Sequence, residues 1–461
     1  MAKLHKPGLL VCALLIAGCQ PLPQVHDPDF AMLHCADHQA RSSMESEWFA
    51  ATGSTLSGPH SIEEYIDVAL AQNPDILAAR KRYQAMLDLV PVAGSLPDPM
   101  LIVTAAPEPI QTAAGQQELI VTASQKLPLR EKRDVRARSA DSQAEIARAN
   151  LAATELKVVA SVKQQYFQIY YIQQAIAVTE SEQILLGQIR DVADTRYRAG
   201  NVSQQDVLRA DLEVSRVENE LIQLRQQLVS AQARLAQQLH VSSEAELLAM
   251  EDIPQGWIPD NLERLQQQAL AARPELHAQL AAIERDQNLV DLAQLDYLPD
   301  VNLGVSWIDI ASSGISPVAN GRDAFQLSAG INLPIYTDRL DSSLRSAEAK
   351  TVASAREYDA LRDATLADVA DLFAQVQSTQ NLIQLFRDDI LPKARQTLEV
   401  SSQAYNVGEV DFLQLIDNWR QLLIYEVSFR RLQATLGQRM AQLEQVVGGF
   451  GAETSALAEN D

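Results

Sequence analysis

Few side chains in this sequence are spaced to do chemistry, and the clearest is a cysteine near its start. Lys3 and Lys6 precede an apolar run, Leu9-Leu10-Val11-Cys12-Ala13-Leu14-Leu15-Ile16, that is too short to remain in a bilayer as a helix. Residues 1–18 therefore read as a secretory signal. The run closes in Ile16-Ala17-Gly18-Cys19, the form of a bacterial lipobox, where small residues admit the peptidase and the Cys19 thiol takes a diacylglycerol. This covalent lipid is the one attached group expected, with no other cofactor; the plainer alternative is an ordinary signal peptide with an incidental cysteine. Gln20 stands where lipoproteins held at the inner membrane commonly carry Asp, and that resemblance implies the outer membrane.

A second group of reactive side chains follows. His26, Met32, His34, Cys35, His38 and Met44 are soft or borderline ligands for copper, silver or zinc, and His34, Cys35 and His38 are the candidate metal site among them. The competing reading is that such residues scattered through a tail are incidental. Five of the seven histidines fall in the first sixty residues, and no Ser-His-Asp, metal-hydrolase or phosphate-loop spacing is present, so no enzyme is expected.

The rest of the composition narrows the class. With Cys12 removed and Cys19 acylated, Cys35 is the only free thiol, and an intramolecular disulfide framework is excluded. The formal charge of −22 is spread along the whole chain, which disfavours nucleic acid as a partner. The acidic bias could draw cations into a lumen or simply keep a large helical surface soluble. After the signal, no apolar stretch approaches the roughly 20 residues a membrane helix needs, so any crossing must be made by strands.

The elements that would position these features come in two copies, about 200 residues apart. Ala69-Leu70-Ala71-Gln72-Asn73-Pro74 answers Ala269-Leu270-Ala271-Ala272-Arg273-Pro274, Leu96-Pro97-Asp98 answers Leu298-Pro299-Asp300, and Leu127-Pro128-Leu129 answers Leu333-Pro334-Ile335. Tyr197-Arg198-Ala199-Gly200-Asn201-Val202 then answers Tyr405-Asn406-Val407-Gly408-Glu409-Val410. Each copy reads as helix, two strands, very long helix, Gly turn, helix. In the last helix of copy one, Val217, Leu221, Leu224, Leu228, Ala231 and Leu235 follow the alternating four and three spacing of a coiled-coil seam. Copy two repeats it with Tyr425, Phe429, Leu432, Leu436, Arg439 and Leu443. No proline interrupts Arg130 to Pro254, a span that reads as helix, turn, helix. A helix from Arg133 to Arg196 would be about 95 Å long, while its return helix, Val202 to His240, would reach about 60 Å. A further helix must complete the cover: Asn261 to Asp296 for copy one, and Ile62 to Leu89 for copy two.

The strand pairs are expected at Met100–Ala105 with Glu118–Ser124, around a loop holding Pro107, Pro109 and Gly115, and at Val301–Ile308 with Ala324–Leu333, around Gly314, Pro317 and Gly321. Asn302 to Trp307 and Gln326 to Leu333 alternate polar or small with apolar residues, as a wall wet on one side and lipid-facing on the other requires. Four strands cannot close a useful bore, whereas three protomers would supply twelve. The alternative is a four-stranded soluble sheet packed on helices. The expected fold is mainly α with a membrane β-barrel: a trimeric α-barrel joined to a 12-stranded β-barrel, four strands per protomer, from two internal structural repeats.

Over residues 61–446 the sequence resembles the TolC-like outer-membrane factors of tripartite efflux pumps, on the tip motifs Arg196-Tyr197-Arg198-Ala199-Gly200 and Ala404-Tyr405-Asn406-Val407-Gly408, the two Leu-Pro strand exits and the twofold repeat. The resemblance implies a homotrimeric, passive exit duct that meets a periplasmic adaptor (membrane fusion protein) and an inner-membrane RND transporter, lipid-anchored in the outer membrane and extending into the periplasm. It implies that the tips, Gly200 with Asn201 and Gly408 with Glu409, contact the adaptor. It places a periplasmic gate behind them: the family's two inner-helix aspartates fall on Gln414 and Asp417, its tyrosine on Tyr405, and Asp206 could accept the tyrosine hydroxyl. The constriction arginine of the best-known member falls on Val410, so that salt-bridge network is not reproduced. Asp206 and Asp417 could equally be solvated helix-face carboxylates. Ser124-Gln125-Lys126-Leu127-Pro128-Leu129-Arg130-Glu131-Lys132-Arg133 and Leu96-Pro97-Asp98-Pro99-Met100 resemble the branch serving heavy-metal pumps of the Cus and Czc type. A multidrug or type I secretion exit duct is the alternative, and a coiled-coil lipoprotein without a pore is the alternative of another class. The expected division is 1–18 signal peptide, 19–60 lipid-anchored segment, 61–260 repeat one, 261–446 repeat two, and 447–461 a disordered tail.

Overall fold

The computed structural model describes residues 27, 30, 56, 58–251 and 260–449. Cys19, His34, Cys35 and His38 lie outside the described residues. The architecture below belongs to one compact unit, residues 57–461.

In chain order the elements are β1 (Gly58–His60), α1 (Ile62–Gln72), α2 (Pro74–Gly94), β2 (Met100–Thr112), β3 (Gly115–Leu127), α3 (Arg130–Arg198) and α4 (Gln204–Leu239). Then come β4 (Leu247–Ala249), α5 (Leu262–Ala272), α6 (Pro274–Leu295), β5 (Val301–Ala311), β6 (Ala324–Ile331), α7 (Thr337–Leu385), a π-helical turn (Phe386–Ile390), α8 (Leu391–Val407) and α9 (Phe412–Val447).

The leading helix expected in each copy is split in two, because Pro74 and Pro274 each start a helix and push the residue before them out of the α region. Asn73 uses that position to cap α2, accepting from the backbone N–H of Asp75 at 2.9 Å, while its own amide donates to the Gln238 carbonyl at 2.9 Å. The proline-free span is not helix, turn, helix alone. His240 takes a left-handed conformation (φ 55) that ends α4, and β4 then pairs in parallel with β1. Gly58–His60, placed by the sequence in the anchored segment, is thus held by the body of the fold. Tyr65 fastens the pair, its hydroxyl donating to the Leu248 carbonyl at 3.0 Å. At the other end α9 runs to Val447, and Gly448 and Gly449 donate to the carbonyls of Gln445 and Glu444 in a glycine C-cap. The helix and its cap thus run on through residues 447–449.

The first long helix has 69 residues, about 100 Å at 1.5 Å per residue. Packed along it are α2, α4, α6 and α9, while α7 packs against α6, α9 and α5. Within one chain α2 covers α3, the long helix of its own copy, and not α7 as the sequence suggested. The sheet explains why. Its order is β2-β3-β5-β6, so α2 enters at one edge and α7 leaves from the other.

The strands run longer than expected, and Pro107 and Pro109 lie inside β2 instead of in a loop. They are tolerated because β2 is an edge strand and its register with β3 breaks between Ala105 and Ile110. Register places Val103, Val121, Trp307 and Phe325 side by side, and next to them Leu101, Ala123, Val305 and Leu327. Thr122, Ser306 and Gln326 lie on the opposite face, with Thr122 Oγ1 2.9 Å from Ser306 Oγ. Many of the apolar residues are open to solvent in the single chain: Phe325 is 78 % and Leu327 85 % exposed. Where strands give way to helices, buried Lys132 at the start of α3 donates to the Leu298 carbonyl and to Asp300 Oδ1, both at 2.9 Å.

Candidate functional site

The two Gly turns are built alike. Gly200 (φ 76) donates to the Tyr197 carbonyl and Asn201 to that of Arg196; Gly408 (φ 86) donates to Tyr405 and Glu409 to Ala404. Each helix end thus closes through a residue in the left-handed region, which glycine adopts without a Cβ penalty. The return helices are capped at once, α4 by Ser203 on the Gln205 N–H at 3.1 Å and α9 by Asp411 on the Gln414 N–H at 2.8 Å.

Behind the tips the two hairpins share one core. Leu186, Ile189 and Ala193 of α3, Ala210, Val217 and Leu221 of α4, Leu398 and Tyr405 of α8, and Phe412, Leu415, Ile416, Trp419 and Leu422 of α9 form a single buried cluster. The expected seam of α4 is buried at Val217, Leu221, Leu224, Ala231 and Leu235. That of α9 is buried at its two ends: Leu443 is fully buried, as are Leu415 and Leu422 where the same spacing continues toward the tip, with Trp419 beside them, while Tyr425, Phe429, Leu432, Leu436 and Arg439 between are half-buried. α9 packs on α3 and α7 as well as on α8, so its burial is not confined to one stripe.

Tyr405 is buried, edge-on to Phe412 at 5.8 Å, with the Arg196 guanidinium 4.7 Å from its ring centroid and bonded to its carbonyl. Its hydroxyl has no hydrogen-bond partner among the described residues, so the bond to Asp206 expected from the resemblance does not form. Burial raises the Tyr405 phenol above its ordinary range, and the negative charge of nearby Asp206 adds to this. Arg196, the first residue of the first tip motif, clamps Tyr405 in place of Asp206.

Asp417 is exposed on the face of α9 that also carries Gln414. It is not a free carboxylate: Arg420 donates to it at 3.1 Å and, with its other terminal nitrogen, to Glu213 of α4. Glu213 is buried, and its bond holds the Arg420 guanidinium above its ordinary pKa, so this arginine stays charged at any working pH. The sequence reading missed this link. The seam of α4 does not announce it, because the alternating step back from Val217 falls on Val214, and Glu213 is buried one residue off that line.

The sequence profile of the outer membrane efflux protein family matches residues 65–239 and again 265–449, one match for each hairpin with its leading helices and strands. The chain belongs to the outer membrane efflux protein family. Members are passive ducts, not enzymes, and they work as homotrimers in tripartite systems with adaptors and inner-membrane pumps. Among curated relatives, this efflux protein is 22 % identical over 402 residues to the cobalt-zinc-cadmium resistance protein CzcC of Cupriavidus metallidurans, covering 85 % of this chain and 91 % of that one. Among solved structures it matches the outer-membrane channel OprN with a TM-score of 0.73 at 20 % identity, covering 84 % of this chain and 90 % of that one. It matches CusC, whose structures describe conformational changes accompanying folding and transmembrane channel formation, with a TM-score of 0.72 at 17 % identity, covering 86 % and 94 %.

In this efflux protein, then, Tyr405 and Asp206 are neighbours at the contact of the two hairpins, and Asp417 and Gln414 share an exposed face of α9. Gly200 with Asn201 and Gly408 with Glu409 stand at the two turns. Arg196, Glu213, Arg420 and Trp419 complete the arrangement.

Proposed function

We propose that three copies of this chain assemble edge to edge into a twelve-stranded barrel through the outer membrane, continued into the periplasm by their helices, as a passive exit duct for heavy-metal cations. The observation that carries the reading is the open, two-faced sheet. β2 and β6 are unpaired edges, one face of the sheet is apolar, the other carries hydroxyls and amides, and an exposed edge of this kind demands a partner. Pairing β2 of one chain with β6 of the next would also bring α2 against the neighbour's α7, supplying the cover that helix lacks within its own chain.

Lipid on Cys19 would tether the duct, and an inner-membrane RND transporter and a periplasmic adaptor would supply energy and selectivity. The tips at Gly200, Asn201, Gly408 and Glu409 are the adaptor's contact. Asp417, Gln414, Asp206 and Tyr405 form the gate region, in which Arg420 partly neutralises the Asp417 carboxylate. The metal cargo is supported by the similarity to the cobalt-zinc-cadmium resistance protein and by the Leu-Pro segments of the strand exits. The test is metal content. Cells lacking the gene should accumulate zinc, cobalt, cadmium or copper when challenged, and the intact gene should reverse this. Unchanged metal content with raised retention of organic drugs would redirect the duct to a multidrug pump.

A further inference from the structure

Besides Glu213, the helix pairs that meet behind the tips contain one further buried carboxylate among the described residues. Glu182 lies on α3 at a seam position, in step with Ala175, Thr179, Leu186, Ile189 and Ala193, all of them buried. It is 8 % exposed, and its Oε2 has no hydrogen-bond partner among the described residues. The Trp419 indole of α9 is close enough to act on this carboxyl, yet its Nε1 likewise closes no hydrogen bond. Burial pushes the Glu182 carboxyl up to about 7; Glu426 of α9 adds to the rise, while Trp419 and Arg395 of α8 oppose it. Arg395 is itself engaged by Glu426 at 2.8 Å, and Arg225 of α4 by Glu180 at 2.8 Å, so neither is free to neutralise Glu182.

The opposing hairpin has a mechanical weak point at the same level. Pro392 cannot donate to the helix ladder and its ring crowds the carbonyl one turn back, and the helix answers with the π turn Phe386–Ile390 just before it. A cleft of about 180 Å³ opens there, its lining including Val178 and Pro392 and the charged Arg387, Arg395, Glu426 and Arg430, one helical turn from Glu182. A hinge, a room to move in and a buried acid across the contact therefore coincide.

We propose that Glu182 is a proton-operated latch: neutral, it lets α9 pack against α3 as seen here, and ionised, it favours a state in which α8 and α9 swing away about the π turn. The latch rests on the reading of the chain as a gated duct. A carboxyl whose pKa is higher in the packed state than in the swung state binds its proton more tightly there, so the packed state loses ground as pH rises from the ordinary carboxylate range toward 7.

The test is the open-to-closed ratio of the purified full chain in planar bilayers between pH 5.5 and 8. The wild type should rise roughly tenfold across this range, Glu182→Gln should be flat, and Glu426→Gln should move the wild-type midpoint to lower pH. A flat wild type, or a Glu182→Gln channel with the wild-type response, overturns the latch while leaving the duct intact. A chain that forms no channel overturns both.

Discussion

The hairpin formed by α3 and α4 and the one formed by α7, α8 and α9 end in tips with matching hydrogen bonds, but the helices behind them are built differently. α3 runs unbroken for 69 residues. Its counterpart spans two residues more between strand exit and tip glycine, carries Pro392, and is interrupted by the π turn. The return helices differ in the same sense. α4 buries a regular seam, whereas α9 brings Phe412, Trp419 and Arg420 into the contact between hairpins. The same plan thus yields a stiff hairpin and a hinged one, and the large side chains lie on the hinged partner, where a change of packing would be felt most.

Substitutions can break this comparison, and the largest effect belongs to Trp419. Trp419→Ala should remove about 3–5 kcal/mol from the contact between hairpins, read as a lower denaturation midpoint, because the surrounding core cannot collapse into the space. Arg420→Ala comes next. It would leave buried Glu213 only the more distant Arg216, at 3.6 Å, and since Arg420 is itself partly exposed the loss should be about 2 kcal/mol, against a smaller loss for Arg190→Ala, which breaks only exposed pairs with Asp211 and Asp191 in the stiff hairpin. Equal losses in these two variants, measured by the same unfolding assay, would remove the distinction.

The tips give a finer test. Gly200→Ala and Gly408→Ala should each cost about 1 kcal/mol through the left-handed backbone, but only at Gly408 does an added Cβ meet a neighbour, Arg196 Nη2 at 3.3 Å. Gly408→Ala should therefore also loosen Tyr405, seen as faster amide exchange in α8. The smallest effect is expected at Asp417. Because Arg420 already holds this carboxylate, Asp417→Ala should weaken block by divalent cations from the periplasmic side only a few-fold, and unaltered block would put the constriction elsewhere.

Local signals carried most of what could be read in advance. Gly200 and Gly408 declared the turns, and the alternation from Asn302 to Trp307 declared a two-faced strand. What escaped depends on partners far apart in the chain or on a local rule overridden by context. Pro107 and Pro109 looked like loop residues until β2 proved to be an edge. The β1 and β4 pair joins residues nearly 190 apart, Gly58 to Leu247, with only three residues on each side. Arg420 meets Glu213 across 207 positions, and Arg196 meets Tyr405 across 209. The resemblance offered Asp206 for Tyr405 because it transfers positions, not the competition among side chains that reach them. Glu182 was legible in principle, as a carboxylate standing where a seam calls for apolar residues, whereas Glu213 lies one residue off the α4 seam.

The central claim, that chains close a barrel by pairing β2 with β6, is tested most directly by disulfide trapping between these edges. Cysteine at Ile102 would be combined, in a Cys35→Ser background, with a scan of single cysteines along β6 from Phe325 to Ile331, and oxidised in outer-membrane fractions. The account predicts a covalent ladder that stops at three chains for at least one β6 position, with neighbouring positions of the opposite face unreactive. A chain that stays monomeric at every position, or a ladder that continues past three, would contradict it.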